Sequence, residues 1–360
     1  MLSKKLFGAG NVIRGHVGPA RVAGKGQDIL HNEGLSRSAL PMSREDTKIG
    51  QVLVVAGPTA SGKSALALEI AKRLDGTVIN ADSMQVYRDL CILTDRPREK
   101  EISAVPHKLY GILDAAERGS VAWWRQQALQ AIRETLREGR LPILCGGTGL
   151  YLRAMMEGIA DIPTVPDEVV KQAEELYREL GGAEFRKRLY ELDPGTAARL
   201  HDGDSQRLQR AWAVATATGQ PLSHWIEQGQ APEGDLAFKS VLIVPEALVS
   251  ADAIERRFRD MIAQGALDEV RALKERGLSP GLPAMRALGV SQLIDFIDEA
   301  ISLDTAVDLS VVATRQFAKR QRTWFRNQFI ADVLLVEKFS NNKIDKIFPK
   351  IREWLLTPDS

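Results

Sequence analysis

Gly57-Pro58-Thr59-Ala60-Ser61-Gly62-Lys63-Ser64 is an uninterrupted G-x-x-x-x-G-K-[ST] phosphate-binding loop, and its flanks restrict what the chain can fold into. The apolar run Val52-Leu53-Val54-Val55 before it reads as a buried parallel strand, and Ala65–Ala71 after it carries apolar residues at helical spacing. Glycines at 57 and 62 let the backbone wrap with its N–H groups inward, where they and a helix N-terminus form an anion site. Lys63 can then bridge two phosphate groups, and the Ser64 hydroxyl can hold Mg²⁺. The loop makes the chain a handler of phosphates without saying which, because hydrolases, kinases and some transferases share it.

The rest of the chain extends this unit. Thr77–Asn80 and Leu141–Cys145 read as further strands that end where polar residues begin, and Trp123–Glu138 reads as a crossover helix. In open α/β sheets the ligand crevice lies at the carboxyl ends of the strands, so Asp82 and Thr148 are expected beside the phosphate loop. From Asp161 the texture changes to amphipathic helices rich in Arg, Glu and Gln. Phe238–Pro245 then returns as a strand, followed by helical patterns over 250–275, 284–300 and 305–329. The expected fold is α/β, a P-loop NTPase-like parallel sheet core with a helical insertion domain. The core's first part covers 50–160, the insertion 161–235, the second part 236–338 and a C-terminal tail or helix 339–360.

Residues 1–48 are Gly-rich, basic and poor in acids, with no sustained period, and are not expected to fold by themselves. A start at Met42 is favoured there over an organelle transit peptide. The composition of the whole chain, 44% hydrophobic over 360 residues, suffices for a substantial core. A net charge of +1 leaves a nucleic-acid partner open, so local charge has to be read instead. Cys91 and Cys145 give neither a disulfide framework nor metal-ligand spacing, which points to a reducing cytoplasm. No apolar run approaches the roughly eighteen residues of a membrane span, so no membrane is expected.

Four constellations carry candidate chemistry. Asp82-Ser83-Met84-Gln85 follows the second strand directly; Asp82 there can be a magnesium ligand, a general base or a helix N-cap, and Gln85 can read an adenine edge. Gly146-Gly147-Thr148-Gly149 is a second glycine-rich turn, whose Thr148 can donate to a leaving-group oxygen or merely cap a helix. Arg315, Lys319, Arg320, Gln321, Arg322, Thr323 and Arg326 surround Trp324 and Phe325, a mixture suited to a phosphodiester backbone and a stacking surface, or to a solvated helix face. Gln206, Arg207, Leu208, Gln209 and Arg210 form a second basic, amide-rich cluster. Arg256 or Arg257 can face the phosphates by its planar fork, and the residues alone do not choose between them. His107 reads as structural.

Gly57–Ser64, Asp82–Tyr87, Gly146–Tyr151 and Lys319–Arg326, in this order, closely resemble the tRNA dimethylallyltransferase (tRNA isopentenyltransferase) family over about residues 50 to 335. The resemblance implies transfer of a dimethylallyl group from dimethylallyl diphosphate to N6 of adenosine 37, in tRNAs that read codons beginning with U. The loop would then hold a diphosphate leaving group with Mg²⁺ rather than ATP. It further implies Asp82 as proton acceptor, Thr148 at the diphosphate bridging oxygen, and Lys63 and Arg257 as charge stabilisers. Asp82, Ser83, Met84 and Gln85, Gln206 to Arg210, Arg286 to Ser291 including Gly289, and Lys319 to Arg326 match its tRNA-contacting segments, in a protein expected to be a monomer that engages an anticodon stem-loop.

The chain departs from the family pattern at Cys91-Ile92-Leu93-Thr94-Asp95-Arg96-Pro97, where many members read D-I-G-T-A-K-P, and at Val290, where they carry Tyr. Two competing readings are an ATP-dependent small-molecule kinase, for which the basic-aromatic helix is surplus, and a non-catalytic tRNA-binding protein, against which intact Lys63, Asp82 and Thr148 speak.

Overall fold

The strands assemble into one six-stranded sheet of order β3-β2-β4-β1-β5-β6 in a computed structural model, which describes residues 49–229, 231–245, 251–340 and 344–356. The strands are β1 Gly50–Ala56, β2 Gly76–Asn80, β3 His107–Lys108, β4 Leu141–Gly146, β5 Leu236–Ile243 and β6 Val333–Leu335. Every pairing in it is parallel, with Val54 opposite both Leu144 and Ser240. The helices are α1 Lys63–Arg73, α2 Glu99–Ala104, α3 Val121–Arg137, α4 Gly149–Glu157, α5 Asp167–Leu192, α6 Pro194–Arg199, α7 Ser205–Thr218, α8 Leu222–Gln228, α9 Ala251–Ala263, α10 Ala266–Glu275, α11 Val290–Ile297, α12 Leu303–Gln328 and α13 Ile344–Leu356.

The period-2 alternation of β1 divides the core. Val52, Val54 and Ala56 point to a cluster with Trp124, Ala128 and Ile132 of α3, Leu152 of α4 and Phe325 of α12. Leu53 and Val55 point the other way, to Leu66, Ala67 and Ile70 of α1 and Ile344 and Ile351 of α13. A strand buried on both faces has no polar positions to offer, which is why β1 reads as a continuous apolar run.

Helices α5–α8 form two smaller clusters of their own, one around Phe185, Leu189 and Leu208 and another around Val165, Ala173 and Val214. Asp193, fully buried, ties two of these helices together by accepting from Thr196 N at 2.9 Å and Ser223 N at 3.0 Å. Among the described residues no helix is long and apolar enough to cross a membrane. The readings made for residues 1–48 lie outside the described residues.

Several expectations change. The helical pattern over 250–275 is two helices, because Gly265 adopts φ 106 and turns the chain between α9 and α10. The pattern over 284–300 is a single 3₁₀ turn at Ala284–Arg286 followed by α11, with Gly289 in the left-handed region between them. Strands β3 and β6 were not expected, since two or three residues cannot display a period, nor was α2, none of whose six residues is buried, so that it shows no apolar face.

Helix α12 is two-faced along its C-terminal half. Ala318, Gln321 and Phe325 are buried, while Arg315, Lys319, Arg320, Thr323 and Arg326 are exposed. Phe325 packs edge-on against Trp324 and Phe329 with centroids 5.3 Å and 5.7 Å away. Phe325→Ala should therefore cost about 3–5 kcal/mol, the range for truncating a buried aromatic, measured by urea unfolding.

Candidate active site

Three loops leave the carboxyl ends of adjacent strands: the phosphate loop after β1, Asp82–Gln85 after β2 and Gly147–Thr148 after β4. The phosphate loop ends at Gly62, whose φ of 91 is the N-cap of α1. A side chain is excluded there twice over, since a Cβ at 62 would also meet Phe339 O at 2.7 Å. Ala60 takes a left-handed φ of 62 in the same turn. The first-turn amides of α1 have no acceptor within the helix, which leaves them to an anion. Lys63 Nζ donates to Pro58 O at 3.5 Å and so lies over this loop.

Asp82 is fixed through its backbone by a fully buried neighbour. Asn80 Oδ1 accepts from Asp82 N at 2.8 Å, and Asn80 Nδ2 donates to Asp82 O at 3.0 Å and Leu109 O at 3.1 Å. The Asp82 carboxylate accepts from Met84 N at 2.9 Å, which makes an Asx turn and not the helix N-cap considered above, since no helix follows β2 before α2. Thr148 Oγ1 accepts from Ser83 N at 2.9 Å and lies 3.3 Å from Ser83 Oγ. Ser83 thus ties the Asp82 segment to Thr148. Thr148 N donates to Ala81 O at 3.3 Å and closes the same joint.

Cys145, at the end of β4, sits among Lys63, Ser64 and Asp82. Burial pushes its thiol up to about 11, against the opposing pull of Lys63 and of a hydrogen bond with Ser64. Burial also raises the Tyr110 and Tyr151 phenols, with smaller upward contributions from Asp82. A cavity of about 380 Å³ opens here, lined by Ser64, Leu68, Arg96, His107, Tyr110 and Cys145.

Of the two adjacent arginines it is Arg257 that turns to the loop. Its Nη1 lies 3.5 Å from Thr59 Oγ1 and its Nη2 pairs with Asp95 at 2.7 Å, while Arg256 is exposed. Glu269 of α10 accepts from the backbone N–H groups of Cys91, Ile92 and Leu93 at 2.7, 2.7 and 3.0 Å, so the divergent 91–97 segment is anchored by an acid that no local motif announced. Arg96 donates to Tyr87 O and Arg88 O, each at 3.3 Å, and its charge is used on the backbone.

Not every expected contact residue faces outward. Leu208 and Gly289 are buried in their clusters, and Phe325 belongs to the core, so none of these three side-chain positions offers an RNA contact. Gln85 uses its Nε2 on Thr94 O and Asp95 O at 2.9 and 3.0 Å, and so holds the 91–97 segment instead of offering that donor to a base. Gln321 is buried and bonded at both ends to backbone. Gln206, Arg207, Arg210 and Arg286 are exposed, and Ser83, Met84, Gln209, Arg322 and Trp324 are half-buried.

The IPP transferase family model matches residues 85–328. The chain is 51% identical to the tRNA dimethylallyltransferase of Granulibacter bethesdensis over 77% of its own length and 87% of that protein. It is 50% identical to the enzyme of the same description from Gluconobacter oxydans, over 76% and 83%. The chain belongs to the tRNA dimethylallyltransferase family. Its fold is similar to the tRNA isopentenylpyrophosphate transferase of Bacillus halodurans, with TM-score 0.59 and 32% identity over 85% of this chain and 97% of the other. It is also similar to a eukaryotic dimethylallyltransferase acting on tRNA, with TM-score 0.69 and 25% identity over 84% and 77%. The kinase and non-catalytic readings give way to this membership.

The thiols of this family member differ in reactivity. Cys91 is exposed, whereas Cys145 is 3% exposed with a raised pKa, and only the thiolate is nucleophilic. Iodoacetamide at pH 8 should label Cys91 and spare Cys145 in the native protein, and label both after denaturation, read by peptide mass spectrometry.

Proposed function

We propose that the chain transfers the dimethylallyl group of dimethylallyl diphosphate to N6 of adenosine 37 in tRNAs that read codons beginning with U. The carbon–oxygen bond breaks with both electrons going to diphosphate, the carbon–nitrogen bond forms to N6, and the N6 proton passes to the Asp82 carboxylate. The observation that carries this reading is the joint between Asp82 and Thr148 through Ser83, next to the phosphate loop. It gives one edge of the sheet both a base for the attacking amine and a hydroxyl for the leaving oxygen. Charge that develops on diphosphate is met by the first-turn amides of α1, by Lys63 and by Arg257, groups already in position before the bond breaks.

Magnesium suits this donor set. Among the described residues no group of three or more His, Cys, Asp or Glu side chains is gathered to hold a metal. The Ser64 hydroxyl, a hard oxygen at the head of α1, would hold the ion together with water and substrate phosphate. When bound, the ion adds positive charge at the leaving group.

Recognition of RNA falls to exposed cations and an exposed amide. Arg315, Lys319, Arg320 and Arg326 on the outer face of α12, and Gln206, Arg207 and Arg210 on α7, are available to the backbone of an anticodon stem-loop. Met84, half-buried in the same loop as Asp82, and Trp324 offer apolar surface to an extruded base. Helices α5–α8, with their own cores, act in this reading as an insertion domain over 161–235 that carries part of the RNA contact. Two free cysteines support a cytoplasmic location.

Purified protein with Mg²⁺ and dimethylallyl diphosphate should alkylate an anticodon stem-loop carrying the adenosine; ATP hydrolysis with no alkylated RNA would overturn the reading. Asp82→Asn is the informative variant, because the amide keeps the oxygen that accepts from Met84 N while removing the base. It should lower kcat about 10²–10⁴-fold, the usual contribution of a positioned base, with stem-loop affinity retained.

A further inference from the structure

Gln321 joins parts of the site that no other side chain described above spans. It is 8% exposed, and its planar amide is used at both ends on backbone. Oε1 accepts from Thr59 N at 2.9 Å, within the phosphate loop, and Nε2 donates to Gly147 O at 2.9 Å, one residue before Thr148. The loop that receives diphosphate and the turn that carries the leaving-group hydroxyl are thereby held at the span of one primary amide. Two of the turn's three glycines accommodate α12: a Cβ at 147 would lie 2.6 Å from Gln321 Nε2, and a Cβ at 149 would overlap the Trp324 ring. One helical turn thus seats against the β4–α4 turn by two side chains, while Lys319, Arg320 and Thr323 of the same stretch face outward.

We propose that Gln321 is a positioning residue for the transfer: it sets the phosphate loop in register with Thr148, and contacts neither substrate. A primary amide accepts from one backbone group and donates to the other without any change of protonation, whereas glutamate does so only when protonated. Ionised glutamate keeps the acceptor for Thr59 N but has no donor for Gly147 O, and methionine keeps the length and loses both bonds. Since a displacement on the order of 1 Å at reacting groups costs about 10²-fold in rate, the residue acts on the chemical step through the loops it holds. The proposal rests on the function proposed above and moves Gln321 from the RNA surface to the frame of the reaction centre.

The test compares wild type, Gln321→Met and Gln321→Glu by steady-state kinetics on a stem-loop, thermal melting, and hydrogen exchange of the 57–64 peptide. Gln321→Met should lower kcat about 10–100-fold with the KM for stem-loop within about 3-fold, melt cooperatively, and exchange the Thr59 amide faster. Gln321→Glu should also lower kcat while keeping the Thr59 amide protected. Lys319→Ala, on the outer face, should raise KM instead. An unchanged kcat in Gln321→Met overturns the proposal, as does a raised KM with kcat retained, which would make Gln321 an RNA contact. Loss of cooperative melting in both variants overturns it too, by making the amide an element of folding. A wild type that alkylates no stem-loop overturns the reading of function, and the exchange measurement still reports on the strut itself.

Discussion

The pairing of β1 with β4 on one side and β5 on the other, buried on both faces, is the constraint from which the rest follows. Parallel strands deliver all their carboxyl ends to one edge, so a phosphate loop after β1, an acid after β2 and a glycine turn after β4 converge without any contact between them in sequence. A connection must leave each end, and the short polar segments that do so carry Lys63, Asp82 and Thr148. Register supplies the fine adjustment: Asn80 lies opposite Cys145, which aligns the end of β2 with the end of β4 and lets Ser83 reach Thr148.

Around that edge the C-terminal third of the chain supplies the supports. Arg257 from α9 pairs Asp95 and approaches Thr59, Glu269 from α10 gathers the 91–93 amides, and Gln321 from α12 bridges two loops. Arg257 spends its charge on side chains, whereas Glu269 and Gln321 are used on backbone groups in a partly buried setting, where an unmet partner costs about 1–3 kcal/mol. The same helices present their other faces to solvent with cations, so a basic residue type on α12 does not by itself say whether a position meets nucleic acid or core.

That ambiguity marks the limit of what was legible in the sequence. The phosphate loop, the strands with continuous apolar runs and the positions of Asp82 and Thr148 were readable because each is a local pattern whose geometry follows from a few adjacent residues. Gln321, Phe325 and Leu208 were placed with the RNA-facing residues because a motif lists neighbours in sequence, whereas the helix alternates its faces every three to four residues. Glu269 carried no signal, being an ordinary acid on an amphipathic helix whose partners lie far away along the chain. Strands β3 and β6 were too short to show a period, and Gly265 broke a helix that periodicity alone had carried through.

Phe339, between β6 and α13, is buried against the phosphate loop: its N–H donates to Ser61 O at 3.1 Å, and its backbone lies where a Cβ on Gly62 would go. The loop is made near the first of the described residues and clasped by residues near the last of them. During synthesis on the ribosome the anion site therefore stays unclasped until almost the whole chain has emerged. A nascent or C-terminally clipped chain retains every recognisable motif and still lacks the clasp that gives its phosphate loop a fixed shape.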